Sequence, residues 1–512
     1  MTITEQTADL YTQADGLREA FLRADYTTDG VLRLLGEQAH AALGRGEPVP
    51  ARRICADGGE LGVLIRLLLL GDTCTEAQVS AALRPVTVDD ALRHGIVRRE
   101  DRGLYAAIDL RPFDFGTGNR WLFSDLDGTL RRHSITEDHV LGVGHASLSL
   151  LRATPTEPVG RLLDVGTGCG VQAVHAADFA AHLTATDITD RSLALTRAGM
   201  AINGITPSRY SLLKGPWFGP VGGQKFDQIV ANPPFVVGPP KVTHTYRDSG
   251  LDLDGASELM CRTAPNFLTE GGTASMLASW VITGDDWRER IAQWIPDQGV
   301  DAWVVQRDVA DPALYVGTWL RDAGHDPRDP ASAEMADAWL THLQKAGVRG
   351  IGFGFVFLRR TDEPTDLLAE ELSHTFEDPL GDEATDYLRR VAWLRSHDVG
   401  AQRFSVADGV ALEQVSTLAA EGGWERIVTR IHRPDGPRWS HEIDQLGQSL
   451  LAGLNPDGLC LDEVTELLAV ATGEENIDAA AVHEFVEGLI RHGIVLPARW
   501  EGLRQKTSVH SQ

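Results

Sequence analysis

Short apolar runs alternate with amphipathic segments through the middle of the chain. Between residues 161 and 360 the apolar runs are RLLDV, LTATD, FDQIVANPP, TASMLASW, DAWVVQRDV and GIGFGFVFLRR. Strands that alternate with helices in this way predict an α/β fold with a parallel, doubly wound sheet. The ligand site of such a sheet lies at the carboxyl ends of its strands.

Both ends of the chain carry helical patterns, and one short pattern occurs twice. LRHGIV at Leu92–Val97 is repeated as IRHGIV at Ile490–Val495. In each copy a basic pair suits the negative end of a helix, and the glycine suits a left-handed cap. A β-branched pair then begins a strand, as at the helix-to-wing junction of a winged-helix module. We therefore predict mainly helical, winged-helix-like domains on both sides of the sheet.

A proline- and acid-rich stretch, TDEPTD, follows Arg360 and indicates a domain boundary. We predict three domains: an N-terminal helical, winged-helix-like domain at 1–120, a sheet domain at 121–361, and a C-terminal α+β domain at 362–512 that ends in a second winged-helix-like module.

Composition limits the partners. Acidic residues outnumber basic ones by 73 to 47, which gives a formal net charge of −26 and disfavours unaided binding to a long nucleic-acid duplex. The five cysteines form no C-x-x-C pair, so we expect neither a disulfide framework nor a metal site. We see no signal peptide, and the most apolar run, LGVLIRLLLL, is interrupted by Arg66 and too short to span a bilayer. We therefore expect a cytoplasmic protein without membrane contact.

A glycine-rich loop follows the first central strand. RLLDVGTGCG places Asp164 at the strand end and then glycines at alternate positions, Gly166, Gly168 and Gly170. The sixth position of a dinucleotide-binding fingerprint is not glycine here. A carboxylate at the loop entrance would repel a pyrophosphate, but it suits the ammonium and sulfonium groups of S-adenosyl-L-methionine. Asp187, at the end of the second strand, is placed to accept both ribose hydroxyls. These features predict an S-adenosylmethionine-dependent methyltransferase.

The fourth central strand ends in the tetrapeptide Asn232-Pro233-Pro234-Phe235. A planar nitrogen is a poor nucleophile until its lone pair is turned toward the methyl group. The side-chain oxygen of Asn232 and the main-chain carbonyl of Pro233 can each accept one N–H of such a nitrogen. Prolines keep this segment rigid and have no competing N–H, and Phe235 offers a flat face for stacking.

Residues 139–280, about a third of the chain, resemble class I methyltransferases that carry an N-P-P-[YF] motif. HVLGVGHASLSLL resembles the segment before the glycine loop of ribosomal RNA guanine-N2 methyltransferases. The stretches LLKGPWFGP, NPPF and YRDSGLDLDGASELMCRTAPNFLTEGG are more similar to release-factor glutamine methyltransferases. That family commonly has an adenine-binding acid before the Trp-Phe pair, and this chain has Pro216 there.

The residues and the resemblance together imply a Rossmann-like class I methyltransferase sheet and a set of site residues. For catalysis we expect Asn232, Pro233 and Phe235. For cofactor binding we expect Gly144, Asp164, Gly166, Thr167, Gly168, Gly170, Asp187, Ile188 and Asn232. For substrate binding we expect Pro234, Tyr246 and Arg247.

One motif suggests a different activity. FSDLDGTLRRH, at Phe123–His133, has the D-x-D-G-T pattern of haloacid dehalogenase-type phosphatases, and ITGDDW could supply their magnesium-binding carboxylates. A complete methyltransferase half-sheet lies between the two fragments, so we expect Asp125 and Asp127 to form an acidic linking turn instead. The phosphatase is the remote alternative.

We expect the enzyme to methylate an amide or amino nitrogen, with a protein or peptide favoured as substrate. An RNA base or a small-molecule amine is the alternative, and a non-catalytic scaffold is the least favoured reading.

Overall fold

The computed structural model describes residues 9–126, 136–240, 248–372, 379–473 and 477–500. The chain divides into two compact units. One unit contains residues 1–151 and 156–370, and the other contains residues 152–155 and 371–512. The division into three domains with boundaries near 120 and 361 stays a prediction.

The first unit contains helices at its N-terminal end and an alternation of strands and helices after it. Its helices are α1 (Ala14–Ala24), α2 (Thr28–Gly44), α3 (Val49–Cys55), α4 (Gly59–Leu64), α5 (Glu76–Leu83), α6 (Val88–Arg93), α7 (His145–Ala153), α8 (Val171–Ala176), α9 (Asp190–Ile202), α10 (Gly255–Thr263), α11 (Arg288–Ala292), α12 (Pro312–Asp322) and α13 (Pro330–Lys345). A π-helical turn, Ile65–Leu69, extends α4, and short 3₁₀ segments lie at Leu10–Gln13, Pro207–Arg209, Gly219–Val221 and Ala264–Phe267.

Two hairpins precede the strands of the central sheet. The strands of this unit are β1 (Val97–Glu100), β2 (Gly103–Ala106), β3 (Asp109–Asp114), β4 (Asn119–Ser124), β5 (Val159–Val165), β6 (Ala180–Asp187), β7 (Tyr210–Lys214), β8 (Phe226–Ala231), β9 (Leu268–Ile282), β10 (Gln298–Ala310), β11 (Gly350–Pro364) and β12 (Asp366–Glu371). β1 pairs with β2 and β3 pairs with β4, both antiparallel.

The central sheet has eight strands in the order β12-β10-β11-β9-β8-β5-β6-β7. β5 is parallel to both of its neighbours, and β7 and β9 are parallel to β6 and β8. From β5 the chain continues to β6 on one side, and β8 lies on the other side. The order of strands therefore reverses beside β5, which is where an open α/β sheet binds its ligand. The prediction of a Rossmann-like α/β sheet is confirmed.

The sheet is mixed, in contrast to the prediction of a parallel sheet, because β11 runs antiparallel to both β9 and β10. Ile351, near the start of β11, pairs with Ala310 at the end of β10. The helices α12 and α13 lie between these two residues in sequence and return the chain to the edge that it left. This insertion therefore stands at the carboxyl-end edge of the sheet, beside the ligand site.

Large aromatic side chains fill the core against the long strands. Trp280, Trp303 and Phe355 are buried almost completely, and Trp280 stacks on Trp287 with ring centroids 5.3 Å apart. Burial of apolar surface stabilises a fold by about 25 cal/mol per Å². This packing stabilises the long strands β9, β10 and β11, of which β9 is the neighbour of β8 at the site.

Trp121 of β4 connects the N-terminal part of the chain to α9. Its main-chain N–H donates to the side-chain oxygen of Asn203 at 3.0 Å, and its carbonyl accepts from the Asn203 Nδ2 at 2.8 Å. Its indole N–H donates to the carbonyl of Tyr26 at 2.8 Å. These bonds fix the end of β4, from which the chain continues to Asp125.

The second unit is also mixed. Its elements are α14 (Leu380–Ser396), β13 (Phe404–Val406), β14 (Ala411–Leu418), β15 (Trp424–His432), β16 (Ser440–Glu442), α15 (Gln445–Gly453), α16 (Leu461–Thr472), α17 (Ala479–Arg491) and β17 (Val495–Pro497). β14, β15 and β16 form one antiparallel sheet, and β13 pairs with β17 in another.

The repeated LRHGIV and IRHGIV segments end their helices in the same way. Gly95 and Gly493 both have positive φ, and the next residue donates its N–H to a carbonyl five residues earlier, Ile96 to Ala91 and Ile494 to Leu489, at 2.9 Å in each case. The strands that follow differ. β1 forms a local hairpin, whereas β17 pairs with the distant β13. The winged-helix description of the flanking domains stays a prediction.

None of the helices in the described part of the chain is long and apolar enough to cross a membrane.

Candidate active site

The ends of β5, β6 and β8 meet at a cavity of about 550 Å³. Its lining includes Asp164 and the glycine loop after β5, Asp187 and Ile188 after β6, and the NPPF segment after β8. The turn before α7, which contains Gly144, forms a further part of the wall. A volume of this size suits a small-molecule ligand.

Two glycines of the loop leave room for a ligand. Gly166 and Gly168 have φ of +74° and +55°, and a Cβ placed on either would meet nothing within 4 Å. The N–H groups of Gly166 and Thr167 donate to the carbonyl of Thr186 at 3.0 and 2.9 Å, which ties the loop to β6. Both glycines are needed because a side chain would strain the backbone and fill the cavity.

Gly170, predicted as a cofactor contact, is placed differently. It is absent from the cavity lining, and an added Cβ would lie 2.9 Å from the Thr196 hydroxyl. Its φ of +79° begins α8, so in the structure Gly170 serves close packing between α8 and α9. Its role as a cofactor contact stays a prediction, without support from this geometry.

Asp164 is a buried carboxyl group in the cavity wall, with 1% of its surface exposed. Burial raises its pKa to about 7, and the negative charge of Asp187 adds to this rise. Among the described residues, the Asp164 Oδ2 and the Thr167 hydroxyl have no partner in hydrogen-bonding geometry. A bound ligand can supply the hydrogen-bond partner that these two buried polar atoms lack. The site thus fits a cationic ligand.

Asp187 is fixed at the end of β6 by its own neighbours. Its Oδ2 accepts the N–H of Gly168 at 3.0 Å, and its Oδ1 accepts the N–H of Thr189 at 2.9 Å. The N-cap of α9 is Thr189, whose hydroxyl accepts from the Ser192 N–H, so Asp187 does not have that role. The Thr189 hydroxyl also donates to Oδ1, at 3.2 Å, so Oδ2 is the oxygen that keeps a second lone pair for a ligand hydroxyl.

The NPPF segment is held from behind. Ser279 donates to the carbonyl of Phe235, and the Tyr315 hydroxyl accepts the N–H of Val237 at 2.8 Å. The ring of Phe235 lies 5.4 Å from that of Phe353, at an interplanar angle of 44°. Asn232, Pro233, Pro234 and Phe235 all line the cavity. This support holds the segment rigidly at the cavity edge.

The Asn232 amide has a partner that the sequence did not indicate. Its Nδ2 donates to the hydroxyl of Ser147 at 3.2 Å, which leaves Oδ1 as an acceptor. The main-chain carbonyl of Ser147 accepts from the Nε2 of Gln172 at 2.8 Å. Both Ser147 and Gln172 line the cavity. Gln172 interrupts the apolar helix VQAVHA, and that is the one sequence signal that could have drawn attention to it.

Further lining residues come from outside the predicted set. Trp217 follows Pro216 and has a φ of +50°, which is unusual for a residue with a side chain. Trp319 and Asp322 come from α12, in the insertion between β10 and β11. The predicted substrate-binding residues Tyr246 and Arg247 lie outside the described residues.

The charged side chains that line the cavity, among the described residues, are acidic. They are the carboxylates of Asp164, Asp187, Asp248 and Asp322. The described part of the lining contains no lysine or arginine, although it includes His139 and His145. Phosphate groups would find no fixed cation there.

Asp125, the first acid of FSDLDGTLRRH, forms a buried ion pair with Arg191. The Arg191 Nε donates to Oδ2 at 2.8 Å, the Nη2 donates to Oδ1, and the Val140 N–H donates to Oδ2 at 2.8 Å. Both oxygens are engaged, which favours a structural role over that of a phosphatase nucleophile. Asp127 lies outside the described residues, and Asp285 is fully exposed and paired with Arg349. In the described ranges, no three His, Cys, Asp or Glu side chains are grouped to hold a metal ion.

Comparison with known protein families identifies the central region. Residues 141–283 match the model of the methyltransferase small domain. Residues 23–107 and 385–497 match two models that are each described as a domain of unknown function, DUF7059 and DUF7782. The central region is thus a class I methyltransferase domain, and this class uses S-adenosylmethionine. The predictions of the enzyme class and of its cofactor are confirmed.

Individual relatives cover only part of the chain. Ribosomal RNA small subunit methyltransferase C of Chromohalobacter salexigens is 30% identical over 162 residues, 30% of this chain and 44% of its own length. Release factor glutamine methyltransferase of Cereibacter sphaeroides is 33% identical over 154 residues, 28% of this chain and 54% of its own. A solved structure of ribosomal protein L11 methylase from Lactobacillus delbrueckii subsp. bulgaricus is 29% identical and covers 26% of this chain and 57% of its own, with a TM-score of 0.19. The chain spans about half the length of the curated relatives, or less.

Proposed function

We propose that this protein transfers the methyl group of S-adenosylmethionine to a planar nitrogen of a protein or peptide. The observation that carries the proposal is the position of Asn232. Its amide nitrogen is bonded to Ser147, which leaves its oxygen as an acceptor in a cavity that the glycine loop also lines. The bound cofactor supplies an electrophilic methyl group.

Three groups of this chain would hold the cofactor. The buried Asp164 offers a negative charge to its cationic groups, and Gly166 and Gly168 leave room beside the main chain. Asp187 accepts a ribose hydroxyl with the Oδ2 lone pair that the Gly168 N–H does not use. These residues bind and orient the cofactor.

The acceptor nitrogen would be oriented by two oxygens, the Oδ1 of Asn232 and the carbonyl of Pro233. Each accepts one N–H, so the nitrogen lone pair is turned toward the methyl group. Pro233 and Pro234 have no N–H that would compete for the acceptor. Phe235 provides a stacking face for the planar group. After transfer the product nitrogen releases its extra proton to solvent, so no general base is required.

The charge of the site favours a protein or peptide over RNA. The described lining contains four carboxylates and no lysine or arginine, and the whole chain has a formal net charge of −26. RNA binding depends on cations that neutralise phosphates. One of the relatives named above is a release factor glutamine methyltransferase, and a glutamine amide is a planar nitrogen in a protein. The other relative is named a ribosomal RNA methyltransferase, and RNA is the second candidate substrate.

Tritiated S-adenosylmethionine tests the proposal. The purified protein is incubated with a whole-cell lysate that has been left untreated, digested with protease or digested with nuclease. We expect acid-precipitable label in the untreated and nuclease-treated portions and its loss after protease. Loss after nuclease alone would establish the RNA alternative, and absence of transfer in every portion would contradict the proposed function.

A further inference from the structure

Gln172 is a buried polar side chain with only one end bonded. It lies on α8 in the cavity lining, with 4% of its surface exposed. Its Nε2 donates to the main-chain carbonyl of Ser147 at 2.8 Å. Its Oε1 is buried and has no hydrogen-bond partner among the residues that the structure describes. A buried acceptor without a donor lowers stability, so a side chain of this kind calls for a functional explanation.

The two ends of this amide cannot be exchanged. A carbonyl oxygen accepts hydrogen bonds and cannot donate one. The carbonyl of Ser147 therefore requires the NH₂ end of Gln172, and a flipped amide would bring two oxygens together. The oxygen of Gln172 is consequently the end that is left for another partner, and that partner must be a donor.

The position of Gln172 indicates which part of a bound cofactor lies near it. Ser147 connects it to the acceptor motif, because the Ser147 hydroxyl accepts from Nδ2 of Asn232 at 3.2 Å. Asp164, at the end of β5, and Gln172, on the helix that follows the glycine loop, line the same cavity. Gln172 is thus joined through Ser147 to the point of methyl transfer and shares its cavity with the buried acid. The ribose-binding candidate, Asp187, is the last residue of a different strand, β6.

We propose that the Oε1 of Gln172 accepts an N–H of the ammonium group in the amino-acid part of the cofactor, together with Asp164. This rests on the proposed function, because it assigns one end of the same site. The ammonium group has three donors, so it can satisfy the carboxylate and the amide oxygen at once. Gln172 is then a binding residue that selects ligands with an amino-acid part over those with the nucleoside alone.

Two ligands test whether Gln172 binds the amino-acid part of the cofactor. S-Adenosylhomocysteine carries the amino-acid part, and 5′-methylthioadenosine has the same nucleoside and a thioether without it. Their affinities are measured by calorimetry on the full chain, for the wild type and for Gln172→Met, which keeps the length of the side chain and removes both amide ends. Gln228→Met is the matched control, because Gln228 is buried on β8 outside the cavity lining.

We expect Gln172→Met to raise the Kd for S-adenosylhomocysteine about tenfold and to change that for 5′-methylthioadenosine less than about twofold. Its melting temperature without ligand should change little, because losing the Nε2 bond to the Ser147 carbonyl is offset by removing an unsatisfied oxygen. Gln228→Met should leave both affinities unchanged. If Gln172→Met does not fold, Gln172→Leu replaces it.

The proposal is overturned if both ligands lose affinity equally, which would indicate a role in packing, or if neither does. A wild-type chain that binds neither ligand would contradict the proposed function itself, and that result is distinct from both.

Discussion

Asp125 and Arg191 form an ion pair with both side chains almost completely buried, at 9% and 4% exposure. The pair joins the end of β4 to α9, and the Val140 N–H on Asp125 connects it to the cavity wall. A buried charge that loses its partner is strongly destabilising. Asp125→Ala should therefore lower the free energy of unfolding by about 3–5 kcal/mol in a urea titration.

The control for this prediction is Asp190→Asn. Asp190 pairs with Lys214 at 2.6 Å, but both side chains are more than half exposed, so its loss should cost less than about 1 kcal/mol. Replacing both members of the buried pair by apolar residues, Asp125→Leu with Arg191→Met, should recover much of the stability. Equal losses for Asp125→Ala and Asp190→Asn would show that the buried pair has no special structural role.

Gly166→Ala should weaken cofactor binding. The new methyl group would project into the cavity, and φ of +74° would strain the alanine. Gly347→Ala has nearly the same strain, at φ of +69°, and equally open space, but it lies outside the cavity lining. Both variants should lose about 1 kcal/mol of stability. Only Gly166→Ala should lose affinity for S-adenosylhomocysteine. If the Gly166→Ala and Gly347→Ala variants bind this ligand equally well, the glycine loop does not hold the ligand.

Cofactor affinity should depend on pH through Asp164. Its pKa in the folded protein is about 7, against an ordinary value of 3.8, so between these two pH values the folded form holds a proton that the unfolded chain has lost. Without cofactor, stability should therefore fall as the pH rises from about 4 through about 7. A cationic ligand prefers the ionised carboxylate, so its affinity should rise over the same range, by up to about tenfold per pH unit below pH 7.

Calorimetry with S-adenosylhomocysteine from about pH 5.5 to about pH 7.5 measures this dependence, and proton release on binding gives an independent reading. Asp164→Asn should bind weakly with a flat profile. A wild-type affinity that does not change with pH would mean that Asp164 is not the group that meets the cation.

The parts of the site that are local in sequence were predictable. Asp164 and Asp187 lie at the ends of their strands, Gly166 and Gly168 follow one of them, and the carboxyl ends of neighbouring parallel strands meet at one edge. Their side-chain types then indicate the ligand. The NPPF segment follows the same logic.

Contacts between distant segments were not predictable. Ser147 on α7 bonds to Asn232 after β8 and to Gln172 on α8, and the spacing of these residues in the sequence does not predict either bond. The antiparallel direction of β11 depends on the α12–α13 insertion, which also brings Trp319 and Asp322 to the site. The two glycine-capped helix ends were predicted, but the partner of β17 lies some ninety residues away in sequence.

The most direct test of the account compares methyl transfer and cofactor binding in Asn232→Ala. Removing the amide should lower the rate of transfer by about a thousandfold or more, because the acceptor nitrogen is no longer oriented. The affinity for S-adenosylhomocysteine should stay within about threefold of the wild type, because the lost interaction orients the acceptor in the transition state. Asn266→Ala, an exposed asparagine outside the cavity, should keep full activity. If Asn232→Ala instead retains more than about a tenth of the wild-type activity, the NPPF segment does not orient the acceptor and the proposed mechanism is wrong.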